Sequence, residues 1–164
     1  MKEITFASYE EYFRNISRNF SVIKGFYTID MFEFSTFLSD LRGKKFQTPL
    51  LLLEAYNLGT LAYSLDNVID VYDGAIVIID EYDPRNFTPD KKTETLVKLD
   101  YMAKQIRAKM LIDCKQMEYL MRGLEPESME LSPTEIIAST FKGIRMQFTI
   151  NCANDISLSN DWFK

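Results

Sequence analysis

Apolar positions along this chain switch between two periods. Tyr9, Tyr12, Phe13, Ile16, Phe20 and Ile23 keep helical spacing behind a Ser8-x-x-Glu11 capping box. They predict a helix from about Tyr9 to Ile23, with Gly25 in the C-cap position. Asp30 and Glu33 then precede Phe34, Phe37, Leu38 and Leu41 on one face, which predicts a short second helix ending at Gly43. Pro49 opens the continuous apolar run Leu50 to Tyr56, whose length suits a buried strand. Ala75 to Tyr82 predicts another, rich in branched residues and closed by Asp83-Pro84. Asp73-Gly74 fits a hairpin turn between them, while Val68 to Tyr72 fits strand and loop equally.

Thr88-Pro89-Asp90 begins the longest coherent segment. Leu96, Leu99, Ala103, Ile106, Met110, Met117, Leu120 and Met121 trace a stripe that predicts a helix from Lys91 to about Arg122, stopped by Gly123. Two β-like runs follow, Ser128 to Ser139 and Lys142 to Cys152, the second alternating through Ile144, Met146, Phe148 and Ile150. The expected fold is a single α+β domain over residues 1–164: an antiparallel sheet of about four strands packed by two or three helices, one of them long.

Composition adds mainly exclusions. With 46% apolar residues, a 164-residue chain builds a real core without staples. Cys114 and Cys152 lack C-x-x-C spacing, so the expected state is two buried thiols, with neither a disulfide framework nor a zinc site. No run approaches the roughly 18 apolar residues of a membrane span, and Met1 to Phe6 lack the apolar core of a signal peptide. A net charge of −5 disfavours nucleic acid as the main partner. The charge is uneven: Glu54 to Asp90 holds eight acidic residues and one basic, whereas Lys91 to Arg122 holds eight basic and four acidic. Two solvated faces of one fold would explain this. The sharper expectation is head-to-tail self-association, with Asp66, Asp70, Asp73 and Asp80 of one subunit meeting Lys98, Lys104 and Lys109 of the next.

The chain has no histidine, which removes imidazole acid-base catalysis and the His-based triads and zinc motifs. Asp66, Asp70, Asp73, Asp80, Glu81 and Asp83 form the one dense acidic stretch, but their spacing does not match a calcium loop. No glycine-rich phosphate loop occurs, and Arg42, Lys44 and Lys45 fit the basic end of a helix. Trp162 and Phe163 near the end either dock back on the domain or plug a neighbour. No catalytic, cofactor-binding or metal-ligating residue is therefore expected, and no cofactor.

One resemblance extends this reading. The Phe46-x-x-Pro49-Leu50-Leu51-Leu52-Leu53-Glu54 run, the Ala75 to Asp80 strand, Ile106-x-x-x-Met110-x-x-Asp113 and Gly143-Ile144-Arg145-Met146-Gln147-Phe148 resemble small proteins of bacteriophages and prophages. The order of elements is similar to that of tail-terminator and tail-completion proteins at the head–tail connection. The resemblance implies a non-enzymatic structural protein that forms a ring at the head-proximal end of a tail. Its partners would be its own copies and other tail or neck proteins, first in the bacterial host cytoplasm and then in the virion. The competing expectations are a small enzyme or cation-binding domain using Asp66 to Asp83, and a bacterial adaptor domain.

Overall fold

The computed structural model describes residues 4–29, 37, 47–64, 67–81, 88–118, 120–134 and 141–154. Helix α1 spans Phe6–Asn19 and starts three residues earlier than the pattern predicts. Thr5 is the N-cap: its hydroxyl accepts from the Ser8 amide at 3.2 Å, while the Ser8 hydroxyl accepts from the Thr5 amide at 3.1 Å. Ser8 thus closes the capping box from its far side instead of opening one with Glu11. The early start buries Ile4 and Tyr9, either side of the cap, in one cluster. The helix ends at Asn19, so Gly25 is no C-cap; it opens strand β1, Gly25–Ile29. There it faces Leu50, whose Cδ2 would lie 2.8 Å from any added Cβ.

Strand β2 is Leu50–Glu54, β3 is Asn57–Ser64 and β4 is Asn67–Glu81. Val68 to Tyr72 is therefore strand, and Asp73-Gly74 is not a turn but the middle of β4. Gly74 is there because the Tyr9 hydroxyl and the Phe148 ring press onto it; a Cβ would meet Phe148 Cε2 at 2.9 Å. The antiparallel pairing of β3 with β4 runs as far as Ser64 opposite Asn67. Strands β5, Glu130–Thr134, and β6, Phe141–Asn154, complete a six-stranded sheet of order β1-β2-β4-β6-β5, with β3 on β4 beyond β2. The α+β class is as expected, with more strands and one parallel pair, β1 with β2. The other pairings are antiparallel.

Helix α2 is Pro89–Lys115, capped by the Thr88 hydroxyl. It stops well short of Gly123 because Met117 takes φ 59°. The Met117 amide then donates to the Cys114 carbonyl at 3.0 Å and the Glu118 amide to the Asp113 carbonyl at 2.9 Å, a Schellman ending. Met117 consequently leaves the stripe and is exposed, whereas Leu120 and Met121 return to the core through a short 3-10 turn, Met121–Gly123. Gly123 packs directly on the Asn151 backbone, where a Cβ would come within 2.8 Å of the carbonyl carbon. A second 3-10 turn, Pro126–Ser128, leads to β5.

Alternation along the strands creates two apolar layers. Leu51, Leu53, Ile76, Ile78, Ile144, Phe148 and Ile150 face α1 and α2, where Leu99, Ile106 and Met110 are buried. A ring cluster of Tyr9, Phe13, Tyr56, Tyr72 and Phe148 fills that layer, with neighbouring centroids 5.0–5.4 Å apart along Phe148-Phe13-Tyr9-Tyr56-Tyr72. On the other face Ile29, Leu50, Leu52, Val77, Ile79 and Phe141 form a smaller cluster that Phe37 joins. The remaining residues of the expected second helix, Asp30 to Gly43, lie outside the described residues, as do Trp162 and Phe163. No helix among the described residues is long and apolar enough to cross a membrane.

Candidate functional site

The period of two on β4 disperses the acidic residues that sequence places together. Asp70 and Asp80 point to the helical side and Asp73 to the opposite face, by strand parity. Ten residues at about 3.3 Å each separate Asp70 from Asp80 by roughly 33 Å. Asp70 is buried and accepts from the Thr60 hydroxyl at 3.5 Å; Asp73 accepts from the Thr149 hydroxyl at 2.7 Å. Asp80 accepts from Lys98 Nζ at 2.7 Å across to α2, and from the Glu81 amide at 3.0 Å. Asp66 lies outside the described residues, as does Asp83. Among the described residues no three acidic or cysteine side chains converge in a way that would hold a metal ion.

The lysines expected to meet those carboxylates in another subunit are engaged within their own. Lys98 binds Asp80, Lys104 binds Asp100 at 2.6 Å one turn away, and Lys109 binds Asp113. Of the six described residues proposed for self-association, only Asp80 and Lys98 come together, and they do so inside one chain.

Two clefts hold polar chemistry that residue patterns did not isolate. The first, about 780 Å³, runs between α1 and α2 over Ile16, Phe20, Ile106 and Leu120. Asp113, 1% exposed, lines it and accepts from the Tyr12 hydroxyl at 2.7 Å as well as from Lys109. Burial, then the hydrogen bond to Asp113, pushes the Tyr12 hydroxyl far above its ordinary pKa. A phenol held so firmly protonated clamps two helices and makes a poor nucleophile or base.

The second cleft, about 720 Å³, opens on the other face of the sheet beside Glu54, Asp73, Arg145, Gln147 and Thr149. Arg145 grips Glu54 with both prongs, Nε to Oε1 at 2.9 Å and Nη2 to Oε2 at 2.8 Å, and its Nη1 reaches Gln147 at 2.9 Å. Gln147 in turn donates to Glu130 at 2.6 Å. The Glu54 hydrogen bond, the largest influence, raises the Arg145 pKa further. Ninety-one residues separate the pair, and its sequence signals were a carboxylate closing a four-leucine run and an arginine inside an alternating strand. Each cleft thus holds one bonded pair that joins two elements, Tyr12 with Asp113 across α1 and α2 and Glu54 with Arg145 across β2 and β6. Against protein-family models and against curated proteins the chain finds no match.

Apolar exposure lies elsewhere. β3 occupies a sheet edge: it pairs with β4, and residues 57–61 are all exposed, including Leu58 at 57% and Leu61 at 49%. Leu58, opposite Tyr72, shares the helical face, and Leu61, opposite Ile69, the other. The sequence Asn57–Ser64 contains neither charge nor proline, whereas the edge strand β5 carries Glu130 and Pro133. The remaining edge of β6 is closed by its own connection: Glu125 donates to the Thr149 carbonyl at 3.0 Å, and the Thr149 amide to Ser128 Oγ at 2.8 Å.

Proposed function

We propose that this chain is a non-enzymatic structural subunit of a phage or prophage tail or neck, acting through association with its own copies and with other tail proteins. The β3 edge carries the reading. Folded proteins blunt exposed strand edges with charge, proline or a covering segment, because an open edge templates pairing with another chain. Among the described residues β5 and β6 have such devices and β3 has none, while Leu58 and Leu61 add an apolar contact on each side of any strand that joined it. The bonded side chains of both clefts fit a scaffold better than a reaction centre. Ring formation at the head-proximal end of a tail follows the resemblance in element order.

The test is sedimentation and electron microscopy of the purified protein, alone and with phage tails, beside a Leu58→Lys/Leu61→Lys variant. Oligomers, or subunits bound at one tail end, are expected for the native chain, with the variant folded but impaired. A native chain that stays monomeric and binds no tail or neck protein would overturn the reading.

A further inference from the structure

Helix α2 is apolar on two opposite sides. Its inner face buries Leu99, Met102, Ala103, Ile106 and Met110. At about 100° per residue, Val97, Tyr101, Ala108 and Ile112 fall diametrically across from them. All four are exposed, Val97 and Tyr101 at 63% and Ile112 at 51%. The outermost line of a surface helix ordinarily carries charge, and large apolar residues at three of four positions there mark a contact surface.

We infer that this stripe packs against the same stripe of a second copy, antiparallel about a two-fold axis. The motivation is a self-complementary order of residues. An axis passing between Lys104 and Gln105 sets Val97 opposite Ile112 of the second copy, and bulky Tyr101 opposite small Ala108. The same register sets Glu94, on the same side of the helix, opposite Lys115 of the second copy. Glu94 and Lys115 are exposed and take no part in the ion pairs within the described residues, so they are open to this role. A parallel pair would instead set each charge against its own kind and align the two helix dipoles. Isologous contacts need such self-matching, since each patch meets itself in reverse. The inference rests on the reading that copies of this chain associate, and concerns a surface separate from β3. A two-fold contact makes pairs and leaves β3 to join pairs into a larger assembly.

The experiment is sedimentation equilibrium over a wide concentration range on the full chain and five variants, with circular dichroism to establish that each is folded. The native chain should dimerise, and Tyr101→Glu should weaken dimerisation at least about tenfold, the scale of a central aromatic contact. Glu94→Lys should weaken it less, and Lys115→Glu likewise. The swap Glu94→Lys/Lys115→Glu should recover the native affinity, which a merely structural role for either residue would not produce. A native monomer at every concentration overturns the seam, as does a Tyr101→Glu variant that dimerises like the native chain. A swap that fails to recover overturns the antiparallel register. Association lost in Leu58→Lys/Leu61→Lys but untouched by Tyr101→Glu would overturn the α2 seam while leaving the structural-subunit reading in place.

Discussion

Arg145→Met isolates the largest electrostatic commitment of the sheet. Glu54 is 4% exposed and both its carboxylate oxygens are held by Arg145, so the substitution leaves a buried negative charge without a counter-ion. Breaking a fully buried pair costs about 3–5 kcal/mol. The Arg145 side chain is 30% exposed, so water already screens the pair in part. The expected loss is therefore lower, about 2–3 kcal/mol. With a urea slope of about 2 kcal/mol/M, the unfolding midpoint should fall by roughly 1–1.5 M. Replacing both partners, Glu54→Leu/Arg145→Met, removes the stranded charge along with the pair and should regain most of the loss. Urea unfolding followed by circular dichroism, at low and moderate salt, measures both. A single variant within about 0.5 kcal/mol of the native chain would show that the pair behaves as an exposed one. A double variant no more stable than the single would show that packing of the arginine stem, and not the charge, accounts for the loss.

The packing of α2 is tested by Ile106→Ala: at 1% exposure the side chain should cost about 2–5 kcal/mol on truncation, read from denaturant midpoints. Tyr12 makes the fold alkali-sensitive. Its hydroxyl pKa is raised by burial and by Asp113, so the folded state keeps a proton that the unfolded chain releases above about pH 10. The stabilisation is intact below that pH and is lost as pH rises, and Tyr12→Phe should flatten this fall in alkaline melting curves. Tyr9, buried and beside the Glu54 charge, shifts the same way and should supply a remaining slope. Met117→Gly should raise stability by about 0.5–1 kcal/mol, since Met117 is exposed and its positive φ suits glycine.

Local periodicity made most of the fold legible. Leu99, Ile106 and Met110 are buried along α2, and Leu51, Leu53, Ile76, Ile78, Ile144, Phe148 and Ile150 line the helical face of the sheet. The element ends were less legible, because competing local signals decide them. Ser8 could open a capping box or close one, and Thr5 settled it. Asp73-Gly74 has turn chemistry, but Tyr9, 65 positions before Gly74, needs the absence of a Cβ there. Gly123 could end a helix, yet Met117 bends the chain first and Gly123 goes to the Asn151 backbone.

The arrangement of the charged side chains was less legible for a related reason. Charge summed over a segment ignores the two-residue period that sends Asp70 and Asp73 to opposite faces, and ignores that Asp80 meets Lys98 once β4 and α2 pack. For the bidentate pair between residues 54 and 145, the local pattern marks each partner as a charge in an apolar strand but does not pair the two. The outer stripe of α2 differs. Val97, Tyr101, Ala108 and Ile112 share a helical line that the sequence alone displays, but a helix is ordinarily assigned one apolar face, and the buried line through Ile106 took that place. Once the sheet fixes which side is inward, the second line becomes surplus apolar surface, and surplus of that kind is where a partner is to be sought.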